Sequence, residues 1–493
     1  MTKKTPYYKV LFMFGAFILM ASCSLNEATG EKQFTPFMPA STEAKIGAQE
    51  HTKILQQYGG EVDNPKLKTY FRNIGYKLVP HTERDDVKYT FYIVDSPIIN
   101  AFALPGGYIY ISRGLLAIMQ NEAQLAAILG HEIGHVTARH SAERYNTSVF
   151  ASLGTGILST VIDVPGLNQA LGLGTNLYLS SYSRSQESQS DALGVRYIAK
   201  AGYNPSAMAN VHRNMLASKR LAAKEVGKDE KSVDQVNYFA THPISSQRIV
   251  ESDAEATKHT PSDKLNRNAF LNAVNGMIYG DSASQGFVNK GQFIHPELRL
   301  AFKIPKNYAT NNTPSQFIAS AKRQNGPTLI FNGAQKQHSQ TISDFLQYTL
   351  LKGNLASARD FTTTTINGKS AATVEVSGTA NNVQANIRIV AIEWSQSQVY
   401  IFKLIFPSQT SNTEITQLKD SAFSLRSLTA SETQRYQPKR IKIFTAITGD
   451  SVSSRANKMP FDDGLNIERF RVINGLGNQE RLIPGMKYKT IRQ

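Results

Sequence analysis

The five residues His131-Glu132-Ile133-Gly134-His135 carry the strongest chemical signal in this 493-residue chain. Two imidazoles four residues apart share one face of a helix, so both can bind a single divalent cation. Glu132 projects beside that face, where it can hold a water without ligating the metal. The run before the motif, Ala123 to Leu129, is almost wholly apolar, and burying two histidines and a glutamate in such a helix is costly without a cation to neutralise them. A catalytic zinc also needs a third protein ligand and an open fourth position. His140 lies five residues beyond His135, roughly 140° round a continued helix, and is set aside on that ground. Glu187 is the better third ligand. Glu187 and Asp191 are again four apart, so both carboxylates can face the first helix. Asp191 could then accept the spare N–H of a ligand histidine, His131, and fix its tautomer.

The elements that must place these groups surround them in the sequence. Asn121 is an N-cap and Gln124 its capping-box partner, opening a buried helix that runs through the motif. From Ser41 to about Ser252 the pattern is mostly helical, with a strand pair near Tyr89–Asp95 and Tyr108–Ser112. His242-Pro243 comes late in this stretch, with Arg248 six residues after the histidine. Asn146–Thr175 is apolar but interrupted by Gly154, Gly156, Asp163, Pro165, Gly166, Gly172 and Gly174. It reads as a helical hairpin or lid over a cleft, not a membrane span.

His131-Glu132-Ile133-Gly134-His135 with Arg139-His140 behind it, Ser183-Arg184 and Glu187…Asp191 resemble the M48 family of zinc metallopeptidases. Asn100-Ala101-Phe102 with Pro105-Gly106-Gly107, and His242-Pro243…Arg248, fit the same family in the same order. The likeness spans about 41–252 and is nearest to bacterial periplasmic, often lipid-anchored, members; Ser190 departs from the alanine many relatives carry there. It implies a mainly helical zincin-type domain that binds one Zn2+ through His131, His135 and Glu187. Glu132 would take a proton from water and return it to the leaving amine. His242 or Arg248 would help to stabilise the oxyanion. His242 has a second possible role, as a pendant fourth ligand that closes the resting site, and the sequence leaves both open. Asn100 precedes the substrate-receiving strand. The strand Tyr108–Ser112, with Tyr108 and Tyr110, is expected to offer a free edge to an extended substrate, an arrangement that suits unfolded clients.

Composition bounds the rest. With 41% apolar and 19% charged residues, the chain can build packed cores. A single cysteine rules out an internal disulfide framework and a cysteine-based zinc finger. That cysteine, Cys23, follows a basic stretch (Lys3, Lys4, Lys9) and an apolar core, Val10 to Ala21. This resembles the leader and lipobox of bacterial lipoproteins, with residues 1–22 removed, Cys23 lipidated and, by the following Ser24, sorting to the periplasmic face of the outer membrane. Losing three lysines takes the charge from +16 to +13. Secretion makes anionic cell wall or lipid a better partner for that charge than nucleic acid.

The expected architecture is multidomain α+β. Residues 23–40 form a polar tether, 41–252 the peptidase-like domain and 253–292 a connector. Residues 293–430 form an α+β domain of weak PsbP/Mog1-like sandwich pattern, and 439–493 a basic β-α-α-β module. That last module resembles LysM domains, which bind N-acetylglucosamine glycans and so suggest peptidoglycan as a partner. The function expected is zinc endopeptidase action on misfolded or misassembled envelope proteins. The alternative is a non-enzymatic envelope chaperone or peptidoglycan-binding tether.

Overall fold

One wholly buried helix organises the N-terminal half of the protein. In a computed structural model, residues 23–154, 179–227, 242–353, 358–380 and 383–493 are described; the expected leader and most of the expected lid lie outside them. The chain opens on a short hairpin, β1 (Cys23–Leu25) and β2 (Lys32–Phe34), followed by helices α1 (Ala40–Gln57) and α2 (Pro65–Leu78). Strands β3 (Thr90–Val94), β4 (Ala101–Leu104) and β5 (Tyr108–Ser112) make a sheet of order β3-β5-β4. Helices α3 (Arg113–Ile118), α4 (Glu122–Thr137), α5 (His140–Gly154), α6 (Arg184–Lys200), α7 (Ala207–Glu225), α8 (Ser246–Ala256) and α9 (Arg267–Val274) follow.

Every residue of α4 is buried. Its N-cap Asn121 accepts from Gln124 N at 2.9 Å, but Gln124 Oε1 reaches back to Gln120 N rather than to Asn121 N, so the expected capping box is only half formed. Helix α6 crosses α4 closely because glycines face each other. A Cβ on Gly130 would sit 3.1 Å from Gly194 Cα, and one on Gly194 would sit 2.8 Å from His131 N. Removing side chains at the crossing lets backbones approach nearer than ordinary helix packing allows. That approach carries the acidic face of α6 against the two motif histidines.

Two expectations about this half are corrected. Residues 23–40 are not a loose tether. Asn26 Nδ2 donates to Thr137 O at 2.9 Å, Phe37 N to Asn146 Oδ1 at 2.9 Å, and Gln33 Nε2 to Glu143 Oε1 at 3.0 Å, so the hairpin is fastened to the end of α4 and to α5. The strand Tyr108–Ser112 offers no free edge either. It is the central strand, parallel to β3 on one side and antiparallel to β4 on the other; the outer strands are β3 and β4.

Beyond the connector, β6 (Phe287–Asn289), β7 (Gln292–His295) and β8 (Leu300–Lys303) join a two-residue strand at 426–427 in a four-stranded sheet. A seven-stranded antiparallel sheet is built from β9 (Tyr308–Asn312), β10 (Phe317–Ala321), β11 (Thr328–Gln335), β12 (Ala358–Ile366), β13 (Lys369–Ala380), β14 (Val383–Glu393) and β15 (Gln398–Pro407). Helix α10 (Asn412–Phe423) contributes Leu418 and Ala422 to a core with Phe402 and Leu404, while Phe345 and Leu346 pack in a second core with Val399 and Ile401. The alternating β15 sequence thus serves both faces. The C-terminal segment forms β17 (Arg440–Thr445), α11 (Val452–Ala456), α12 (Asn466–Asn474) and β18 (Lys487–Arg492), with β16 the strand at 426–427. This β-α-α-β unit is not a freestanding bead, because Ile441, Phe470, Ile473 and Ile491 share one apolar core with Leu116, Met208 and Leu221 of the N-terminal half. Lys489, fully buried, donates to Ala117 O at 2.8 Å across that boundary. Among the described residues no helix is long and apolar enough to cross a membrane.

Candidate metal centre

The α4–α6 crossing brings His131, His135 and Glu187 together, and the segment leading into α8 adds His242. One ligand atom from each of these four buried residues lies within 4.8 Å of every other. His131 Nε2 and His135 Nε2 are 3.1 Å apart; Glu187 oxygens lie 3.7 Å and 3.5 Å from them, respectively. His242 Nδ1 is 2.8 Å from Glu187 Oε1 and 3.2 Å from His131 Nε2. Asp191 Oδ1 is 2.8 Å from His131 Nδ1. With the Nδ1 proton given to that carboxylate, His131 keeps a lone pair on Nε2, aimed at its neighbours. Nitrogen lone pairs and a carboxylate converging in a dry site repel one another unless a cation lies among them. Imidazole nitrogens with one carboxylate are a donor set that suits zinc, so the residues present fit the metal.

Glu132 stands beside this cluster. Its Oε1 is 3.5 Å from His242 Nε2, and its Oε2 is buried without a hydrogen-bond partner. Burial pushes the Glu132 carboxyl up from its ordinary range, against the pull of His242 and His131. A cavity of about 20 Å3, lined in part by Asn100, His131, Glu132 and His242, adjoins it, enough room for about one water.

Arg248 is placed behind the carboxylates and not toward a reacting group. Its Nε and Nη2 each lie 2.8 Å from Asp191 oxygens, its Nη1 donates to Pro243 O at 3.0 Å, and Nη1 is 2.6 Å from Glu187 Oε2. That last contact is an ion pair out of hydrogen-bond alignment, since Glu187 Oε2 has no hydrogen-bond donor. An oxyanion contact would require the guanidinium to leave two buried carboxylates, so the oxyanion role expected for Arg248 gives way to a positioning one. Burial alone would raise both acids. For Glu187 the charges of His242 and Arg248 win and hold it well below the carboxylate range; for Asp191 those of Arg248 and His212 do the same. His242 goes the other way: burial lowers it, but Glu187 and Glu132 outweigh burial and raise it.

The structure separates the expected substrate residues. Asn100 lines the small cavity. Tyr108 and Tyr110 do not line it; they belong to an aromatic cluster where Tyr110 Oη is 2.7 Å from His51 Nδ1 and the His51 and Tyr108 rings are 5.3 Å apart. Cys23 begins β1. Two neighbours of the site, Tyr182 and His212, escaped sequence reasoning, and a third, His140, was weighed there only to be set aside as a ligand. His140 Nδ1 is 2.8 Å from His135 Nδ1, because the helix does not continue past Thr137: Arg139 adopts φ 56°, and α5 starts afresh at His140. Tyr182 stacks on His135 at 3.8 Å, with the Arg144 guanidinium 3.7 Å over its other face. Tyr182 directly precedes Ser183-Arg184, which is the one signal that could have found it. His212 Nε2 is 3.4 Å from Asp191 Oδ1; a lone histidine on an amphipathic helix gives no such signal.

A buried His-Glu-x-x-His helix crossed by a helix that brings a glutamate to both histidines has the donor set of a metallopeptidase domain. Residues 65–256 match the model for peptidase family M48, and this part of the chain is an M48 metallopeptidase domain. A protein from Vibrio cholerae named putative beta-barrel assembly-enhancing protease is 29% identical over 225 residues, covering 44% of each chain. The beta-barrel assembly-enhancing protease of Escherichia coli is 25% identical over 209 residues, covering 41% of each. The mitochondrial metalloendopeptidase OMA1 of Saccharomyces cerevisiae is 29% identical over 220 residues, covering 42% of this chain and 61% of that one. The matches thus span less than half the length of the two bacterial relatives. The solution structure of cyanobacterial PsbP from Synechocystis matches 29% of this chain and 96% of that one at 10% identity, with a TM-score of 0.23, too low to bear on the fold.

Proposed function

We propose that the protein is a zinc-dependent endopeptidase of the bacterial cell envelope, acting on misfolded or misassembled envelope proteins. The observation that carries this reading is the convergence of His131, His135, Glu187 and His242 beside the unpartnered carboxylate oxygen of Glu132. When bound there, zinc supplies a Lewis acid that makes water a nucleophile near neutral pH and polarises a peptide carbonyl. Glu132 Oε2 accepts the water's proton and returns it to the leaving amine; burial, by raising this carboxyl, makes it a stronger base than a solvated glutamate. His242 Nε2, also buried without a hydrogen-bond partner, is the group placed to donate to the developing oxyanion. Arg248 and Asp191 hold Glu187 and His131 in register for the metal.

The names of the bacterial relatives, which speak of beta-barrel assembly, support the envelope assignment and clients drawn from such assembly. Attachment through an acylated Cys23 at the periplasmic face of the outer membrane belongs to the same proposal. So do a PsbP/Mog1-like middle domain and a LysM-like C-terminal unit with peptidoglycan as a further partner. The placement of His242 favours one second reading, in which it completes a closed four-ligand site and the protein is a chaperone or tether without turnover. The two readings separate on Glu132→Gln. A peptidase loses casein cleavage in this variant while keeping its zinc; cleavage undiminished in the variant ends the base assignment, and absence of cleavage in the wild type supports the second reading.

A further inference from the structure

Strands β17 and β18 pair from Arg440↔Arg492 to Thr445↔Lys487. One end of this ribbon is fastened to the connector, where Ile441 N donates to Met277 O at 2.8 Å and Tyr279 N to Lys439 O at 2.8 Å. From the other end, where Lys487 Nζ donates to Asn272 Oδ1 at 3.4 Å, emerge the loop after β17 (residues 446–451) and the loop before β18 (475–486). The two loops are laced together. Ala446 N donates to Met486 O and Gly485 N to Ala446 O, both at 2.8 Å, while Ile483 N donates to Tyr488 Oη at 3.1 Å. Gly449 and Gly485, at φ 90° and 85°, make turns that side-chain-bearing residues adopt poorly.

This fastened tip turns aliphatic side chains outward. Ile447 is 64% exposed, Ile483 56% and Met486 37%, with Pro484 exposed between them. Single exposed apolar residues are ordinary; three on two hydrogen-bonded loops at one tip are not. The rim is cationic. Arg481 is exposed with no carboxylate partner among the described residues, Lys487 starts β18 at the tip, and Arg267 lies 5.5 Å over the Tyr488 ring. Of the acidic loop residues, Asp450 is occupied by Arg455 at 2.7 and 2.6 Å, leaving Glu480. Residues 439–493 together hold 11 Lys and Arg against 5 Asp and Glu.

We propose that this tip docks on an anionic lipid surface, with Ile447, Ile483 and Met486 entering the headgroup–acyl boundary and Arg481 and Lys487 pairing with lipid phosphates. Aliphatic tips inside a cationic rim are the two components that peripheral membrane binding combines. A glycan would instead bury its hydroxyls against side chains that offer no hydrogen bonds. The docking is independent of the metal centre and of any acyl chain on Cys23.

The test uses residues 23–493 carrying Cys23→Ser, so that no acyl group contributes, sedimented with phosphatidylglycerol-containing vesicles, pure phosphatidylcholine vesicles or insoluble peptidoglycan. The expected result is binding to the anionic but not the phosphatidylcholine vesicles, weakened by salt, and reduced at least about tenfold by Ile447→Ser with Ile483→Ser at unchanged melting temperature, with any binding to peptidoglycan unaffected by that double variant. Four outcomes overturn the proposal: no binding to anionic vesicles, equal binding by the double variant, binding lost only on Arg481→Ala with Lys487→Ala, or these loops serving peptidoglycan capture instead.

Discussion

Replacing Arg248 with Met tests whether this side chain acts on the reaction or on the ligands. Arg248 is 5% exposed and sits between two buried carboxylates, so solvent can do little to stabilise Glu187 and Asp191 once the guanidinium is gone. Breaking a buried ion pair by removing one partner costs about 3–5 kcal/mol. Two acids lose their partner here, and Pro243 O loses a donor, which places the expected loss at the upper end. Loosening the acid that grips a ligand histidine and the ligand carboxylate itself should weaken zinc by about 10–100-fold. Urea unfolding of the metal-free chain and zinc competition with a chelator read these two quantities. The discriminating number is turnover at saturating zinc. A residue that only positions ligands leaves it within a few-fold of wild type, whereas an oxyanion donor costs about 100–1,000-fold. Unchanged stability and zinc affinity, with turnover lost at full metal loading, would refute the positioning argument.

Two further perturbations follow from the same geometry. Burial holds His140 down to about 4 and His212 to about 3, so both are neutral when folded and take up protons on unfolding as pH drops below their ordinary value near 6.5. The unfolded chain then binds more protons, and stability rises with pH across that window. The metal-free chain should therefore be less stable at about pH 5 than at about pH 7, with the lowered His135 acting in the same sense and the raised His242 opposing it, and cleavage should fall in acid as protons compete with the metal for its ligands. Urea midpoints independent of pH over this range would contradict the burial argument, and a flat activity profile to about pH 4.5 would count against a metal held by imidazoles. Gly194→Ala puts a methyl 2.6 Å from Met208 Cε and 2.8 Å from His131 N. It should cost about 1–3 kcal/mol and weaken zinc by parting α6 from α4, while a variant with wild-type melting and affinity would show that the crossing tolerates the methyl.

How far the site could be read from sequence depended on whether each contact was local. His131/His135 and Glu187/Asp191 are each one helical turn apart, and a helix period is visible without any tertiary knowledge. His140 is not among the four converging ligands; its contact with His135 stayed hidden because its angle was reckoned along a helix that in fact breaks at Arg139. That residue's left-handed backbone is held by Glu43 Oε1 at 2.8 Å and Met38 O at 2.6 Å, both far away in sequence. Tyr108–Ser112 looked like an edge because four-residue β4, Ala101–Leu104, is too short to announce itself as a neighbour. In the middle domain β14 and β15 were legible from their apolar alternation, whereas Arg359 to Thr365 of β12 is polar and largely exposed at the sheet's margin and carries no period to read. The N-terminal hairpin was missed for the same reason: its fastening is by Asn26 and Gln33 side chains, which polarity alone assigns to a linker.

A metal held by His131, His135 and Glu187 underlies every role assigned to this site, and zinc content measured in the purified chain and in a folded His135→Ala, Glu187→Ala double variant tests it most directly. About one zinc per chain in the wild type, falling below about a tenth in the variant, is the predicted result. A wild-type chain without tightly held zinc, or a double variant that retains it in full, would contradict the metal centre.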